Sequence, residues 1–525
     1  MRARTRHPLA LATMCLAALV ALAPSAASAT GASTWSTPVF FAENTGDGSE
    51  PDLLHDSGTT YAIWMDVVGG EQRIRTATST DAGLTWSSAV TLASGATVGT
   101  LPKIVSHGAG ITAVWTREVG GFSIVETAFT LDQGSTWSVP VALSATGADA
   151  RIALPVSLDD SLAVVWSSFK EGEFEVGVGD GPAFTIDVLA RVSTDGGASW
   201  EPASTLATLG SVLSTLSAAG SGSTISVVWQ SFEGGSPIIE TSTSIDKGAT
   251  WRPPVTLGGA GAALALPAVV ADDDRITILW APRDGTTFSI VARTSADGGT
   301  TWTTADVIST GATSALVSVN LRLTRVGTTL VATWVRERED GRPKVDVSTS
   351  DDGGVSWSAP LVPFGSANDD YEGAPLVISV GTALVAFWVA VDITVDVTDR
   401  EDVVLSSMSN DGGATWGEST VAFAIGGSGS RYTSGGSSLN PLLHFATDGT
   451  TITAMWKRGD DPTAIMVSTF VPAAEENGGT GAQEPELAAT GPAAASLWAA
   501  LAAALLIGGG ALFLQPRLRR ATNAR

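Results

Sequence analysis

The chain has 525 residues, of which 44% are apolar and 16% charged, with 58 Gly, 24 Pro, 17 Trp and one Cys. Its 53 acidic against 29 basic side chains give a formal net charge of −24. That balance excludes binding nucleic acid through bulk electrostatics, the lone cysteine excludes a disulfide framework, and the length exceeds what one ordinary layered core serves.

At the start, Arg2, Arg4 and Arg6 precede an apolar run over 9–23 and then Ala27-Ser28-Ala29. This order predicts a secretory signal peptide over 1–29, cut after Ala29. Cys15 lies inside the run behind Thr13-Met14, which lacks the small residues of a lipoprotein signal, so the exported chain is expected to hold no cysteine. Without the three Arg of this segment and the four Arg beyond residue 514, 22 basic residues remain against 53 acidic ones, a net charge of −31. The bland reading of that surface is solubility outside the cell.

An eight-residue pattern, Ser/Thr-x-Asp-x-Gly-x-Ser/Thr-Trp, then occurs seven times, at 79–86, 130–137, 193–200, 244–251, 295–302, 350–357 and 409–416. From Asp81 through Asp132, Asp195, Asp246, Asp297 and Asp352 to Asp411 the steps are 51, 63, 51, 51, 55 and 59 residues. A unit recurring at this spacing between strand-like flanks predicts a radial β-repeat. Within each copy the Asp can accept nearby backbone N–H groups, the Gly supplies a positive φ, and the Trp plugs the turn.

An apolar strand ending in Trp precedes each copy, at 61–64, 111–115, 162–166, 225–229, 278–280, 330–334 and 384–388. An eighth, 452–456, has no octapeptide after it. Residues 34–41, which contain Trp35, read like the strand that follows each octapeptide, as in 85–90. The N-terminal strand is therefore expected to complete the last unit, whose other strands come from 441–470. In the first unit the four strands are expected at 52–55, 60–64, 73–79 and 89–92. The expected fold is all-β: a single propeller over 30–470 of eight four-stranded blades, or seven if the final segment packs elsewhere. Ring closure by both chain ends would leave no exposed edge strand.

Residues 471–486 are rich in Ala, Gly, Pro and Glu and read as a flexible spacer. Over 487–525 follow Leu487-Ala488-Ala489-Thr490-Gly491, 22 uncharged and mostly apolar residues at 493–514, and then Arg517, Arg519, Arg520 and Arg525. The apolar stretch is long enough to cross a bilayer, with its basic tail on the cytoplasmic side. The pentapeptide, helix and tail together resemble a sortase sorting signal in a Leu-Ala-x-Thr-Gly variant. That resemblance implies cleavage between Thr490 and Gly491 and transfer to cell-wall peptidoglycan, hence a protein anchored at the surface of a Gram-positive bacterium. A plain membrane anchor is the alternative.

The octapeptides resemble the Asp boxes, or bacterial neuraminidase repeats, of sialidase-like propellers, over about residues 33–470. The resemblance implies that the seven Asp are structural turns between the third and outer strands, on the face away from any ligand. The opposite face is expected to carry function, with binding candidates just after the strand-ending Trp residues: Arg117, Glu118, Arg283, Arg336, Arg338, Arg400 and Arg458. Sialidase chemistry would require an Arg triad, a Tyr nucleophile with a Glu partner and an Asp acid/base. The nearest match to the family's Arg-Ile-Pro motif is Arg151-Ile152-Ala153-Leu154-Pro155, in the third unit and without the immediate Pro. Tyr371 with Glu372, and Tyr432 with Arg431, are the loop candidates for the nucleophile and its partner. Active members of the family are usually six-bladed. His55, His107 and His444 read as repeat-equivalent residues near the ends of inner strands, without metal-ligand spacing. No motif calls for a metal or cofactor. The expected role is a glycan- or protein-binding adhesion module, and the alternative is an exo-sialidase or other glycoside hydrolase.

Overall fold

The computed structural model describes residues 34–42, 51–95, 102–108, 110–171, 184–210, 215–233, 236–259, 267–285, 287–312, 321–338, 342–361, 371–391, 403–425, 443–458 and 464–471. They form eight antiparallel sheets that follow one another along the chain. Blade 1 is typical: inner strand Asp52–Asp56, second Thr59–Val68, third Glu71–Ser79 and outer Val90–Gly95, each paired with the next. Its second strand is buried at every position from Thr59 to Asp66. Both faces of that strand meet a neighbouring blade, which explains a continuous apolar run where a half-exposed strand would alternate.

The core is therefore divided. Eight apolar clusters lie between successive blades, and each contains one of the Trp residues of the second strands: Trp64, Trp115, Trp166, Trp229, Trp280, Trp334, Trp388 and Trp456. The cluster around Trp64 joins Leu53 and Ala62 of blade 1 to Met455, Ile465 and Val467 of blade 8, so the ring is closed. Blade 8 takes its inner, second and third strands from His444–Thr447, Ile452–Lys457 and Ile465–Val471. Its outer strand comes from the other end of the chain, as Thr34–Trp35 and Val39–Ala42. An eight-bladed propeller closed by its first strand is thus what the chain forms. In blade 6 the outer strand is represented among the described residues by one bridge between Val347 and Leu361, and blade 5 adds a two-residue strand, Arg283–Asp284.

The octapeptides are the turns between third and outer strands, and their hydrogen bonds recur. In blade 1 the Asp81 carboxylate accepts from the Ser79 hydroxyl at 2.7 Å, the Thr85 amide at 2.8 Å and the Thr85 hydroxyl at 2.6 Å. Asp132, Asp195, Asp246, Asp297, Asp352 and Asp411 repeat the arrangement. The Thr301 hydroxyl and amide hold the Asp297 carboxyl down to about 2, and Thr415 does the same for Asp411. Each turn also fastens to the preceding blade where threonines reach it. Thr453 and Thr469 of blade 8 donate to the Ala82 carbonyl at 2.7 and 2.8 Å, and Thr277 and Thr294 of blade 5 donate to the Gly353 and Gly354 carbonyls at 3.0 and 2.9 Å. Here glycine is required twice over. Gly354 has φ +90°, and a Cβ on it would lie 2.6 Å from Thr277 Oγ1.

Candidate functional site

The innermost strand of a blade leaves one edge unpaired, and that edge faces the axis of the ring, where its amides need partners. Pairing registers place one residue of every blade at the same level there, opposite the residue just before the second-strand Trp. They are Asp52, Lys103, Leu154, Ser217, Ala268, Arg322, Leu376 and His444. Three of the charged or titratable members are adjacent in the ring, and Asp52 meets the other two. Asp52 on blade 1 accepts the Ile104 amide of blade 2 at 3.0 Å, meets Lys103 Nζ of blade 2 at 3.8 Å, and meets His444 Nδ1 of blade 8 at 3.2 Å. All three side chains are buried. Burial pushes the Asp52 carboxyl up, but the Lys103 charge, the His444 ring and the Ile104 amide together hold it below its usual range. Burial draws the His444 ring down, helped by the Lys103 charge and opposed by Asp52. Its Nε2 is buried without a partner among the described residues.

Arg322 stands apart. Its neighbours at this level are Ala268 on blade 5 and Leu376 on blade 7, both apolar. It is 7% exposed, and among the described residues its one hydrogen bond runs from Nη1 to the Leu321 carbonyl at 3.0 Å. Burial alone draws its pKa down to about 10.

Most arginines singled out for the opposite face are already engaged. Arg117 Nε donates to Glu126 Oε2 at 2.8 Å and its Nη2 pairs with Oε1, while Trp115 Nε1 donates to the same carboxylate at 3.1 Å. Arg336 Nε lies 2.5 Å from Asp346 Oδ2, and Arg338 pairs with Oδ1 of that fully buried carboxylate. Arg151 Nε donates to Asp149 at 2.9 Å, with its guanidinium over the Phe169 ring. Arg283 and Arg458 lie over the Phe288 and Phe40 rings.

Arg117, Glu118 and Arg336, expected just after the strand-ending Trp residues, do not open loops there: they belong to second strands that run past their Trp, Gly110–Val119 and Thr329–Glu337. Asp66 and Lys170 lie in the same way within Thr59–Val68 and Leu162–Glu171. The strands continue because charges meet across the antiparallel pair, as when Arg73 of the third strand forks onto Asp66 at 2.8 and 3.0 Å.

The sialidase-like candidates are not assembled into one clamp. Arg151 lies on the inner strand of blade 3 (Asp149–Ser157), whereas Tyr371 and Glu372 open the inner strand of blade 7 (Tyr371–Val380), across the ring. These two strands are the longest inner ones, and each breaks register just above the axial level, between Arg151 and Leu154 and between Gly373 and Leu376. Arg400, Arg431, Tyr432, Thr490 and Gly491 lie outside the described residues.

The histidines also need correction. His55 and His107 sit near the far ends of inner strands and bond Thr60 and Thr112 at 3.0 and 2.8 Å, whereas His444 occupies the axial level beside Asp52. Among the described residues no three His, Cys, Asp or Glu converge to hold a metal, and no helix is long and apolar enough to cross a membrane. The axial residues carried a signal that the motifs did not reveal: all eight lie twelve positions before the strand-ending Trp, as with Asp52 and Trp64 or Arg322 and Trp334.

No protein-family model and no curated protein matches the chain. Among solved structures it is similar to Trypanosoma rangeli sialidase at 11% identity and a TM-score of 0.34, over 71% of this chain and 54% of that one. It is similar to the phage phi92 endosialidase at 10% identity and a TM-score of 0.36, over 87% and 71% of the two chains. It is also similar to the NanB sialidase of Streptococcus pneumoniae at 14% identity and a TM-score of 0.33, over 67% of each. The chain thus spans about half the length of the trypanosomal structure. The count of eight blades rests on its own strand pairing.

Proposed function

We propose that the protein is a surface-displayed binding module, taking a glycan or protein ligand on the face opposite the Asp boxes, and that it does not hydrolyse sialosides. The observation that carries this reading is the pairing of Arg117, Arg151, Arg336 and Arg338 with carboxylates of their own blades. A carboxylate clamp needs several guanidinium groups free to converge on one ligand, because bidentate charge-assisted bonds both bind and orient it. A guanidinium already forked onto a buried carboxylate such as Glu126 would have to abandon that charge to turn toward a ligand, and the uncompensated carboxylate makes the move costly.

Display at the cell surface rests on the ends of the chain. The signal-like segment over 1–29 would export the propeller, and the sorting-signal pattern over 487–525 would join it to peptidoglycan through Thr490 after passage through the membrane. An exo-sialidase or other glycoside hydrolase is the competing reading. A fluorogenic sialoside assay, run beside a glycan array on residues 30–471, separates the two. We expect no release above background and no change of any array signal on Tyr371→Phe. Release of sialic acid that disappears in Tyr371→Phe or Tyr432→Phe would establish the hydrolase instead.

A further inference from the structure

Seven of the eight blades carry an Asp box after the third strand, and in blade 8 that place is open. There the chain leaves the ring at Val471 and enters it at Thr34, and these two residues are register partners. The surroundings are those of a box without its loop. The Ser36 amide donates to the Thr469 carbonyl at 2.8 Å and Ser36 Oγ accepts the Thr469 amide at 2.9 Å, as Ser87 does with Thr78 at 2.8 and 3.0 Å. Trp35 takes the place of a box Trp, supplied by the other end of the chain. Strand direction fixes the face on which this opening lies. In blade 1 the third strand runs toward the box turn, while Gly69 and Gly70 turn the second strand into the third at the opposite end. The third strand of blade 8 is Ile465–Val471, so Val471 comes out on the Asp-box face. A neighbouring box confirms it: Thr469, two residues before the exit, donates to the Ala82 carbonyl in the box of blade 1 at 2.8 Å.

Given the surface display proposed above, we infer that the Asp-box face is the inner face of the displayed ring, turned toward the cell, and that the face of the second-to-third turns is presented to the medium. Whatever joins the chain to the cell follows Val471, and so holds the ring by its Asp-box face. Nineteen residues, 472–490, separate the exit from Thr490. A coil of that length averages about 25 Å from end to end, whereas a ten-residue strand such as Thr59–Val68 stands about 33 Å tall. To turn the opposite face inward, the tether would have to pass around the ring and stretch well beyond that average, at a cost in chain entropy. A macromolecular ligand arriving from the medium therefore meets the second-to-third turns first, the end of the blades toward which Arg117 and Arg336 lie.

Cys15 is the sole cysteine and lies in the signal-like segment, so one introduced cysteine reports its own surroundings. Leu84→Cys and Val355→Cys place it on the Asp-box face, in blades 1 and 6, at positions 59% and 54% exposed. Val68→Cys, at a position 48% exposed, and Ser236→Cys place it beside the second-to-third turns of blades 1 and 4. A bulky maleimide-polyethylene glycol is applied to intact cells expressing the full chain, and to the same protein released by a peptidoglycan hydrolase or detergent. Labelling of Leu84→Cys and Val355→Cys is expected to be roughly threefold lower on cells than after release, and that of Val68→Cys and Ser236→Cys unchanged. Equal labelling of all four on cells, or protection of Val68→Cys and Ser236→Cys instead, would overturn the orientation. A second arm couples residues 30–490 to beads through a C-terminal tag, which imposes the same exit without the cell. Full-length protein found in the medium and not on cells would defeat the display itself. The same asymmetry on beads would then uphold the orientation set by the exit, and its absence there would overturn that too.

Discussion

Trp35 lies directly across from Phe470, with ring centroids 5.3 Å apart, although 435 residues separate them in the chain. Trp35 also meets Phe387 and Phe423 of blade 7 at 5.7 and 5.0 Å, so the first strand binds two blades at once. Trp35→Ala should therefore destabilise the ring by about 2–4 kcal/mol, through lost burial and a cavity between blades. Denaturant unfolding measures it. Deletion of residues 30–42 should do more, because the strand Ile465–Val471 then becomes an open edge, and concentration-dependent association in sedimentation is expected. A monomeric deletion with unchanged stability would show that closure contributes nothing.

Two glycines, one in an Asp box and one in the turn between the inner and second strands of blade 6, separate two causes of strain. Gly299 has φ +84° and a Cβ there would lie 2.5 Å from Thr243 Oγ1, whereas Gly327 has φ +58° with open space around it. Gly327→Ala should cost about 1 kcal/mol, from the left-handed backbone alone. Gly299→Ala should cost about 2–4 kcal/mol, since the box must also pull away from blade 4. Comparable midpoints for the two variants would mean that contact with the preceding blade is unimportant.

Acid should weaken the fold in two steps. Burial draws the His107 ring from 6.5 down to about 4, against the weaker pull of Asp56. Between those values the unfolded chain binds a proton that the folded chain refuses, so stability is complete above pH 6.5 and falls as pH drops toward 4. The loss is roughly 3 kcal/mol. His444 is shifted in the same direction. His107→Gln, which keeps a donor for Thr112, should flatten this part of the urea-midpoint profile without removing the share due to His444. The carboxyls of Asp297, Asp352 and Asp411 are held near 2 instead of 3.8, so their contribution is lost only at still lower pH. A wild-type profile level from pH 7 to 4 would contradict the assignment of the buried histidines as neutral.

The Arg117–Glu126 pair offers a double-mutant cycle. Arg117→Met alone leaves a carboxylate that is 4% exposed without its cation and should cost about 3 kcal/mol. Adding Glu126→Leu should recover most of that loss, because the apolar replacement no longer demands a charge. Additive losses would show that the two side chains are not coupled.

Anchoring is tested at Thr490. A sortase attacks the carbonyl of the threonine in its signal, so Thr490→Ala is expected to leave the protein in the membrane or the medium. Cell-wall digests with equal amounts of mutant and wild type would point to the plain membrane anchor instead.

Much of the architecture could be read from the chain alone. Asp81 and its six counterparts, the eight strand-ending Trp and the leftover Trp35 announced a ring of eight closed by its own first strand. Such features are local: a turn that needs Asp, Gly and Trp at fixed offsets, and a strand buried on both faces, leave their mark within a few residues. The partners of the charges were not legible. That Arg117 and Arg336 are spent on Glu126 and Asp346 follows from the register across a strand pair. That Asp52 meets His444 follows from ring closure, which joins positions 392 residues apart. Even the twelve-residue interval before each Trp named only a level in the ring. Which of its members find a counter-charge among the described residues, as Asp52 does, was decided by neighbouring blades, because Coulombic pairing and desolvation act over a few ångströms of space whatever the separation along the chain.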